Sequence, residues 1–254
     1  MGQLSYTTAE VQSRLDSVGT LVRPNLLDNW YFVGGGSQQG GGQFPINQRG
    51  QTSYSGNVYG IDRWKQNHTD LTVTLNSGYI SLANASTRNR RASSQVVENP
   101  TKLLGRTVTG SVLFADGTIE YGTGTFPLSI PSSTTYVTLA SFNGSTFRGE
   151  LYTSGSISFA LMVAASGTAQ IVAMKVELGD TQTLAHQENG VWVLNEIPNF
   201  EQELARCQRY YQTYRTQSLR PTYAADCRPV MRTDPAQSTI TVSSTTYYVN
   251  SADL

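Results

Sequence analysis

From residue 48 to about residue 184 the sequence alternates apolar and polar residues and shows no helical period. Residues 71–75 (Leu-Thr-Val-Thr-Leu) alternate, and the turn at 76–78 leads into a second alternating run at 79–82, which is typical of a hairpin. Turn residues recur every 8 to 15 positions. Further strands are predicted at 107–114, 118–121, 135–142, 147–152, 157–163 and 169–178. This pattern predicts a mainly β fold, an antiparallel β-sandwich of jelly-roll-like type over 48–184.

The segments on the amino-terminal side of this region differ from it. Residues 1–23 predict a short helix in which apolar residues at alternating spacings of 4 and 3 form one seam. That seam consists of Leu4, Val11, Leu15, Val18 and Val22, together with Thr8. A helix of this length is not stable alone, so we expect it to oligomerise or to dock on another protein. Residues 24–47 include six glycines between 34 and 42 and predict a Gly-rich linker.

Residues 185–254 predict a C-terminal region of one short helix and several strands. A strand is predicted at 190–194, and Asn199 is expected to cap a helix that extends to Cys207. The runs 208–214 and 238–249 alternate and predict strands. They are too few to be stable without a neighbour, so they are expected to join the sandwich or an interface between copies.

Composition excludes some classes of partner. With 18 basic and 18 acidic residues the net charge is zero, which argues against nonspecific nucleic-acid binding. No apolar run approaches the ~20 residues that span a bilayer, so no membrane insertion is expected. The first residues lack the basic and apolar regions of a signal peptide, which disfavours a secreted carbohydrate-binding module.

Residues that carry out chemistry are scarce. His68 and His186 are the only histidines, and neither has a ligand partner at zinc-binding spacing. Cys207 and Cys227 are expected to be reduced, partly buried thiols, although one bridge between them stays open. No nucleophile elbow or spaced carboxylate pair is present. We therefore expect no catalytic residues, no metal and no cofactor, and a protein that is not an enzyme.

Several blocks of sequence resemble a group of phage and prophage tail proteins whose sandwich is similar to carbohydrate-binding modules. The most specific are Asn-Gln-Arg-Gly at 47–50 and Cys-Gln-Arg-Tyr-Tyr at 207–211. The other blocks lie at 25–32, 51–54, 59–64, 175–180, 203–206, 228–235 and 251–254. The glycine-rich insert at 34–42 separates blocks that are usually closer together, and the chain after Tyr211 is short for this group.

The resemblance implies a structural protein of a bacteriophage virion, made in the cytoplasm of the bacterial host. It implies a tail fibre or receptor-binding component, most simply a homotrimer, that contacts other virion proteins through its N-terminus and host-surface polysaccharide through its sandwich. A purely architectural role, as a head fibre, decoration or neck component without glycan affinity, stays open. So does a depolymerase acting on host polysaccharide, for which the sequence has no motif.

Glycan binding requires aromatic faces that stack on sugar rings and polar groups that bond hydroxyls. Tyr121 and Tyr152, near predicted strand ends, and Trp30 and Tyr31 are the candidate glycan-binding residues. Trp64, in a strand context, is expected to pack in the core instead. Arg88, Arg90 and Arg91 form a cluster that is suited to an anionic wall polymer or an acidic neighbouring subunit, unless it is simply a solvated loop.

Overall fold

The structure, a computed structural model, describes residues 22–34, 44–242 and 244–253. In that part of the chain the fold is mainly β, as the alternating pattern predicts, with one α-helix, α1 (Phe200–Gln208). The predicted helix at 1–23 lies outside the described residues except at its end, where Val22 is half-buried. Leu4, Val11, Leu15 and Val18 therefore stay sequence predictions.

Two antiparallel sheets form the sandwich and enclose its core. Its strands are β1 (Ser53–Ser55), β2 (Leu71–Asn76), β3 (Tyr79–Asn84), β4 (Arg90–Val96), β5 (Thr107–Phe114), β6 (Ile119–Thr125), β7 (Thr135–Phe142), β8 (Ser145–Leu151), β9 (Ile157–Val163) and β10 (Thr168–Leu178). One sheet has the order β1-β2-β3-β10-β5-β6 and the other the order β4-β9-β8-β7. The chain crosses from sheet to sheet after β3, β4, β6 and β9, which is the jelly-roll-like arrangement that was expected.

The two sheets approach each other closely where β6 runs beside β7. Gly122 lies at this edge, and a Cβ at its position would overlap the backbone carbonyl of Leu139. A residue with a side chain would therefore push the two strands apart, which explains why the apolar–polar alternation of β6 is interrupted by glycines.

Residues 26–32 belong to the sandwich rather than to a linker. Leu26 and Phe32 donate backbone hydrogen bonds to Val176 and Val172, and Met174 donates to Trp30, at 2.8, 2.8 and 3.0 Å. This segment continues the six-stranded sheet beside the second half of β10. This second half of β10 begins after an irregularity between Ile171 and Ala173, at which the pairing of β10 with β3 ends. The prediction of a linker over 24–47 does not hold for its described parts, because apolar side chains at both ends are buried.

The C-terminal region contains two small sheets. The hairpin of β11 (Ala185–Glu188) and β12 (Val191–Leu194) follows β10, and a second sheet has the order β13-β15-β14. Its strands are β13 (Tyr211–Tyr214), β14 (Ala236–Val242) and β15 (Thr245–Ser251). Short 3-10 turns lie at Gln217–Leu219 and Ala224–Asp226. A third 3-10 turn, Pro100–Leu103, lies in the sandwich between β4 and β5. The side chain of Asn199 accepts a hydrogen bond from the backbone N–H of Gln202, so it caps α1 as predicted.

Not every strand has its predicted bounds, and three strands, β1, β4 and β11, were not predicted. The strand predicted at 208–214 begins only at Tyr211, because α1 extends through Gln208 and a turn follows it. Strand β4 was not predicted at all. Its sequence, Arg-Arg-Ala-Ser-Ser-Gln-Val, is mostly polar, and an irregularity between Arg91 and Ser93 breaks the alternation.

Candidate glycan-binding face

The outer face of the four-stranded sheet carries a cluster of charged and aromatic residues around Glu150. In β8, alternate residues share a face, so Arg148 and Glu150 point away from the core, as does Tyr152 just beyond the strand. Tyr136 of β7 lies opposite Glu150 on the neighbouring strand, and β4 brings Arg91 to the same face across β9.

Glu150 holds two arginines at once. Its side chain is fully buried, whereas those of Arg91 and Arg148 are 27% and 23% exposed. One carboxylate oxygen accepts from Nε and Nη2 of Arg148 at 2.9 and 2.7 Å. The other accepts from Arg91, from the hydroxyl of Tyr152 at 2.5 Å and from that of Ser158 at 3.4 Å. We call Glu150, Arg91 and Arg148 the Glu150 clamp, in which the carboxylate fixes both guanidinium groups in place.

Aromatic rings flank the clamp. The guanidinium carbon of Arg148 is 4.1 Å from the centre of the Tyr136 ring, and 54% of Tyr136 is exposed. The Arg91 guanidinium is 5.9 Å from the Tyr152 ring. Burial raises the pKa of the Tyr152 hydroxyl, and its hydrogen bond to Glu150 raises it further, so Tyr152 remains a neutral donor to the carboxylate.

A cleft of about 390 Å³ opens beside the clamp, and we call it the sheet-face cleft. It is lined by Tyr59, Lys65, Asn67, Arg91, Ser94, Val96, Tyr152, Thr153, Ser154, Ser156 and Ser158. Residue 65 pairs with Ser94 of β4 through two backbone hydrogen bonds of 2.9 Å, which fixes the position of Lys65 at the sheet edge. The lining therefore combines two aromatic rings, several hydroxyl groups, an amide and two cationic side chains.

The four candidate glycan-binding residues do not form one site. Tyr152 lines the sheet-face cleft. Tyr121 is 54% exposed but lies in the middle of β6, paired with Ser111 of the six-stranded sheet. Its neighbour Gly122 faces β7 of the opposite sheet, so alternation directs Tyr121 away from the sandwich, on the face opposite the cleft.

Trp30 and Tyr31 belong to the interior. Trp30 is only 3% exposed and packs in the main core, so it offers no free face to a sugar. Tyr31 is half-buried, with its ring 5.6 Å from that of Phe44, and burial raises the pKa of its hydroxyl. Trp64 is 2% exposed in the core, as predicted. Of the arginine cluster, only Arg91 lines the cleft; Arg88 is exposed and Arg90 bonds Ser86.

The blocks of sequence that carry the resemblance meet at a different place, where the C-terminal region packs on the sandwich. We call this set the junction; it comprises Asn29, Gln48, Arg49, Asp62, Arg63, Trp64, Glu203, Tyr210, Tyr211 and Asp253. Buried Asn29 is bonded to two other blocks, 203–206 and 59–64: its backbone N–H donates to Glu203 at 2.7 Å, its side chain donates to the carbonyl of Asp62, and its own carbonyl accepts from Trp64 at 2.8 Å. The Asn29 side chain also bonds the backbone of Ile46, just before the block at 47–50.

Arginines also lie at the centre of the junction. Arg49 bonds Asp62 at 2.9 Å and Asp253 at 2.5 Å, and its guanidinium carbon is 3.8 Å from the centre of the Tyr211 ring. Arg63 stacks at 3.5 Å on Tyr210. Burial raises the pKa of the Asp62 carboxyl to about 6, opposed by the charge of Arg49 and by hydrogen bonds from Gln48. Burial also raises the pKa of Glu203. These contacts attach the C-terminal region to the sandwich.

The two cysteines, the other reactive side chains that the sequence singles out, are buried in the protein. Cys207 and Cys227 are free, buried thiols in separate apolar clusters. Among the described residues, no group of three or more His, Cys, Asp or Glu side chains could hold a metal ion. The same part of the chain has no helix long and apolar enough to cross a membrane.

Four residues at the clamp and the cleft are not among those predicted from the sequence: Glu150, Arg148, Tyr136 and Lys65. The i, i+2, i+4 spacing of Arg148, Glu150 and Tyr152 on a predicted strand was the signal for the first two, since it places all three on one face. Nothing local marks Lys65 or Tyr136, because only the pairing of distant segments brings them to the cleft.

Comparison with protein-family models, with curated proteins and with solved structures finds no match for this chain.

Proposed function

We propose that this protein is a structural and adhesive component of a bacteriophage virion, of the tail-fibre or receptor-binding type, and that it attaches to host-surface glycan through the sheet-face cleft. The observation that carries the adhesive part is the cleft itself, in which aromatic rings and fixed polar donors lie together on an exposed sheet face. Saccharides are bound by this combination, because rings stack on their C–H faces and polar groups bond their hydroxyls.

The virion assignment is supported by the resemblance of the sequence blocks and by the sandwich architecture that the resemblance implies. A single cleft of this kind, open to water, is expected to bind glycan at about millimolar affinity, roughly −4 kcal/mol. Three linked copies multiply the affinity by roughly 10² to 10⁴ where their spacing allows simultaneous binding, so a homotrimer is part of the proposal.

Binding of the full-length protein to host cells and to purified wall glycan tests the adhesive function. Tyr152→Ala removes a ring that lines the cleft and is expected to weaken binding by about tenfold, the effect of losing one stacking ring together with its hydrogen bond. Tyr121→Ala is the matched control, because it removes the same side chain from the opposite face. Equal effects of the two substitutions, or no binding by the unmodified protein, would contradict the proposal.

A second candidate function, a purely architectural virion protein, is favoured by a separate observation. The most specific blocks of the resemblance, at 47–50 and 207–211, contribute Gln48, Arg49, Tyr210 and Tyr211 to the junction and not to the cleft. Strand β14 also leaves one edge of its sheet unpaired within the described chain, and its seven residues carry no charge that would oppose pairing with another copy. Failure to bind any host glycan, together with sedimentation as a trimer, would favour this function.

A further inference from the structure

We propose that the ligand of the sheet-face cleft is an anionic polysaccharide, one that bears carboxylate or phosphate groups. This inference rests on the proposed glycan adhesion and adds the chemical class of the glycan. It comes from the charges at the cleft and from how the Glu150 clamp fixes them.

The cleft and the clamp carry an excess of positive charge. Lys65, Arg91 and Arg148 contribute three positive charges, against the single negative charge of Glu150. The residues that line the cleft, as the structure describes it, include no carboxylate. The whole chain has zero net charge, so this excess is a local property of one face.

Much of the hydrogen-bonding capacity of these cations is still available. Glu150 takes one terminal nitrogen of Arg91, and no other acceptor in the described part of the chain bonds that guanidinium group, which has five N–H donors. The ammonium group of Lys65 makes no hydrogen bond or ion pair within the same residues; its nitrogen is 5.3 Å from the centre of the Tyr59 ring. An anion in the cleft would receive charge-assisted hydrogen bonds from both side chains.

Preorganisation by Glu150 distinguishes a binding site from a generally basic surface. A free arginine loses side-chain entropy when it binds a ligand, whereas Arg91 and Arg148 are already held on a buried carboxylate. Nearby hydroxyls and the Asn67 amide, which bonds Ser94 at 2.8 Å, add neutral donors and acceptors that suit sugar hydroxyls. A polymer with both hydroxyl and acidic groups matches this set of side chains.

The test measures binding of the full-length protein to three immobilised polymers: polygalacturonate, which carries carboxylates; poly(glycerol phosphate), which carries phosphates; and dextran, which is neutral. We expect at least one anionic polymer to bind about tenfold or more tightly than dextran, since each charge-assisted bond contributes about that factor. Which of the two anionic polymers binds identifies the acidic group. Binding of dextran as tightly as either anionic polymer would overturn the inference and leave glycan adhesion standing, whereas binding of none would overturn both proposals.

Substitutions of single cationic residues test whether the anionic polymer binds in the cleft. Arg91→Gln and Lys65→Gln are each expected to weaken anionic binding about tenfold and to leave dextran binding unchanged. Arg106→Gln and Lys102→Gln are the matched controls, because they remove the same charges from exposed positions outside the cleft. If the controls weaken binding as much as the cleft variants do, the inference fails.

Glu150→Gln separates a preorganised site from simple attraction by positive charge. This substitution makes the face more positive, so general electrostatic attraction would strengthen the binding of an anionic polymer. The clamp predicts the opposite, about tenfold weaker binding, because both arginines lose the group that positions them. Stronger binding by Glu150→Gln would overturn the inference. Because loss of a buried carboxylate can affect folding, the melting temperature is measured in parallel, and Arg91→Gln and Lys65→Gln test the anion independently.

Discussion

The junction and the Glu150 clamp are built from the same residue types, an arginine bonded to a buried carboxylate and stacked on a tyrosine, but they differ in charge and in access to water. In the junction, Arg49 lies between two carboxylates, and its side chain is 12% exposed. In the clamp, one carboxylate lies between two arginines whose side chains are about twice as exposed. In the junction, two carboxylates of the same chain therefore neutralise the charge of one arginine. In the clamp, two arginines share one carboxylate, so positive charge is left over.

This difference indicates how one type of cluster can have two roles. A cation that is enclosed by carboxylates and an aromatic ring contributes to the attachment of one region to another, and removing it affects stability. A cation that is held from one side and open to water on the other retains donors for an external anion. We therefore expect substitutions in the junction to change stability and substitutions at the clamp to change binding.

The largest expected effect is that of Trp64→Ala in the junction. Trp64 is 2% exposed, donates to the carbonyl of Asn29 and packs edge-on against Phe32. Truncation should lower the free energy of unfolding by about 3–5 kcal/mol, as for other large core aromatics. Urea unfolding measures this loss. Trp64→Phe is the control that retains a ring but loses the hydrogen bond, and about 1–3 kcal/mol is expected for it; an equal loss in both variants would contradict the role of ring burial.

The next effect is the pH dependence conferred by Asp62. Because burial raises its pKa in the folded protein from 3.8 to about 6, the folded state binds this proton more tightly than the unfolded chain does. The contribution of Asp62 to stability therefore falls as the pH rises from about 4 to about 6, by about 3 kcal/mol in total. Asp62→Asn removes this contribution, so the stability of the wild type relative to the variant should decrease by that amount between pH 4 and pH 7 in urea unfolding.

The control for this experiment is Asp116→Asn in an exposed turn. Hydrogen bonds from Thr118 lower the pKa of the Asp116 carboxyl, so its contribution has the opposite sign. It is present above the ordinary pKa and is lost as the pH falls. The stability of the wild type relative to Asp116→Asn should therefore rise with pH. A rise with pH for Asp62 as well would show that Arg49 and Gln48 outweigh its burial.

The smallest expected change in stability is that of Tyr136→Ala beside the clamp. The Tyr136 ring is 54% exposed and its contact in the cluster is the guanidinium of Arg148, so the loss in unfolding free energy should be below about 1 kcal/mol. Binding of anionic glycan should nevertheless weaken severalfold, because Arg148 loses the ring that holds its outer side. A large loss of stability with unchanged binding would reverse the distinction between the two clusters.

The fold was largely predictable because the sandwich strands follow the simplest rule of sheet structure. Strands such as β5, β7 and β9 have the predicted bounds, since apolar–polar alternation and turn residues are local signals. Strand β4 was not predictable in this way, because both of its faces carry polar residues and an irregularity shifts its alternation. One of the strands that the pattern missed therefore supplies Arg91 to the cleft.

The candidate site was less predictable than the fold. Whether an aromatic ring is exposed depends on which distant strand packs against it. The burial of Trp30 and the partial burial of Tyr31 could therefore not be predicted from the sequence around them. Their burial follows from the pairing of residues 26–32 with β10, far away in the sequence. Likewise, the two arginines of the clamp lie on β4 and β8, with β5, β6 and β7 between them in the sequence, and they meet only through the order β4-β9-β8.

The most direct test of the central claim is hydrogen–deuterium exchange of the full-length protein with and without the anionic polymer that it binds best. We expect slower exchange in peptides from 65–68, 90–96 and 152–158, which contribute to the cleft, and unchanged exchange in peptides from 26–32 and 203–211, which contribute to the junction. Protection of the junction peptides without protection of the cleft peptides would contradict the assignment of binding to the clamp and of stability to the junction.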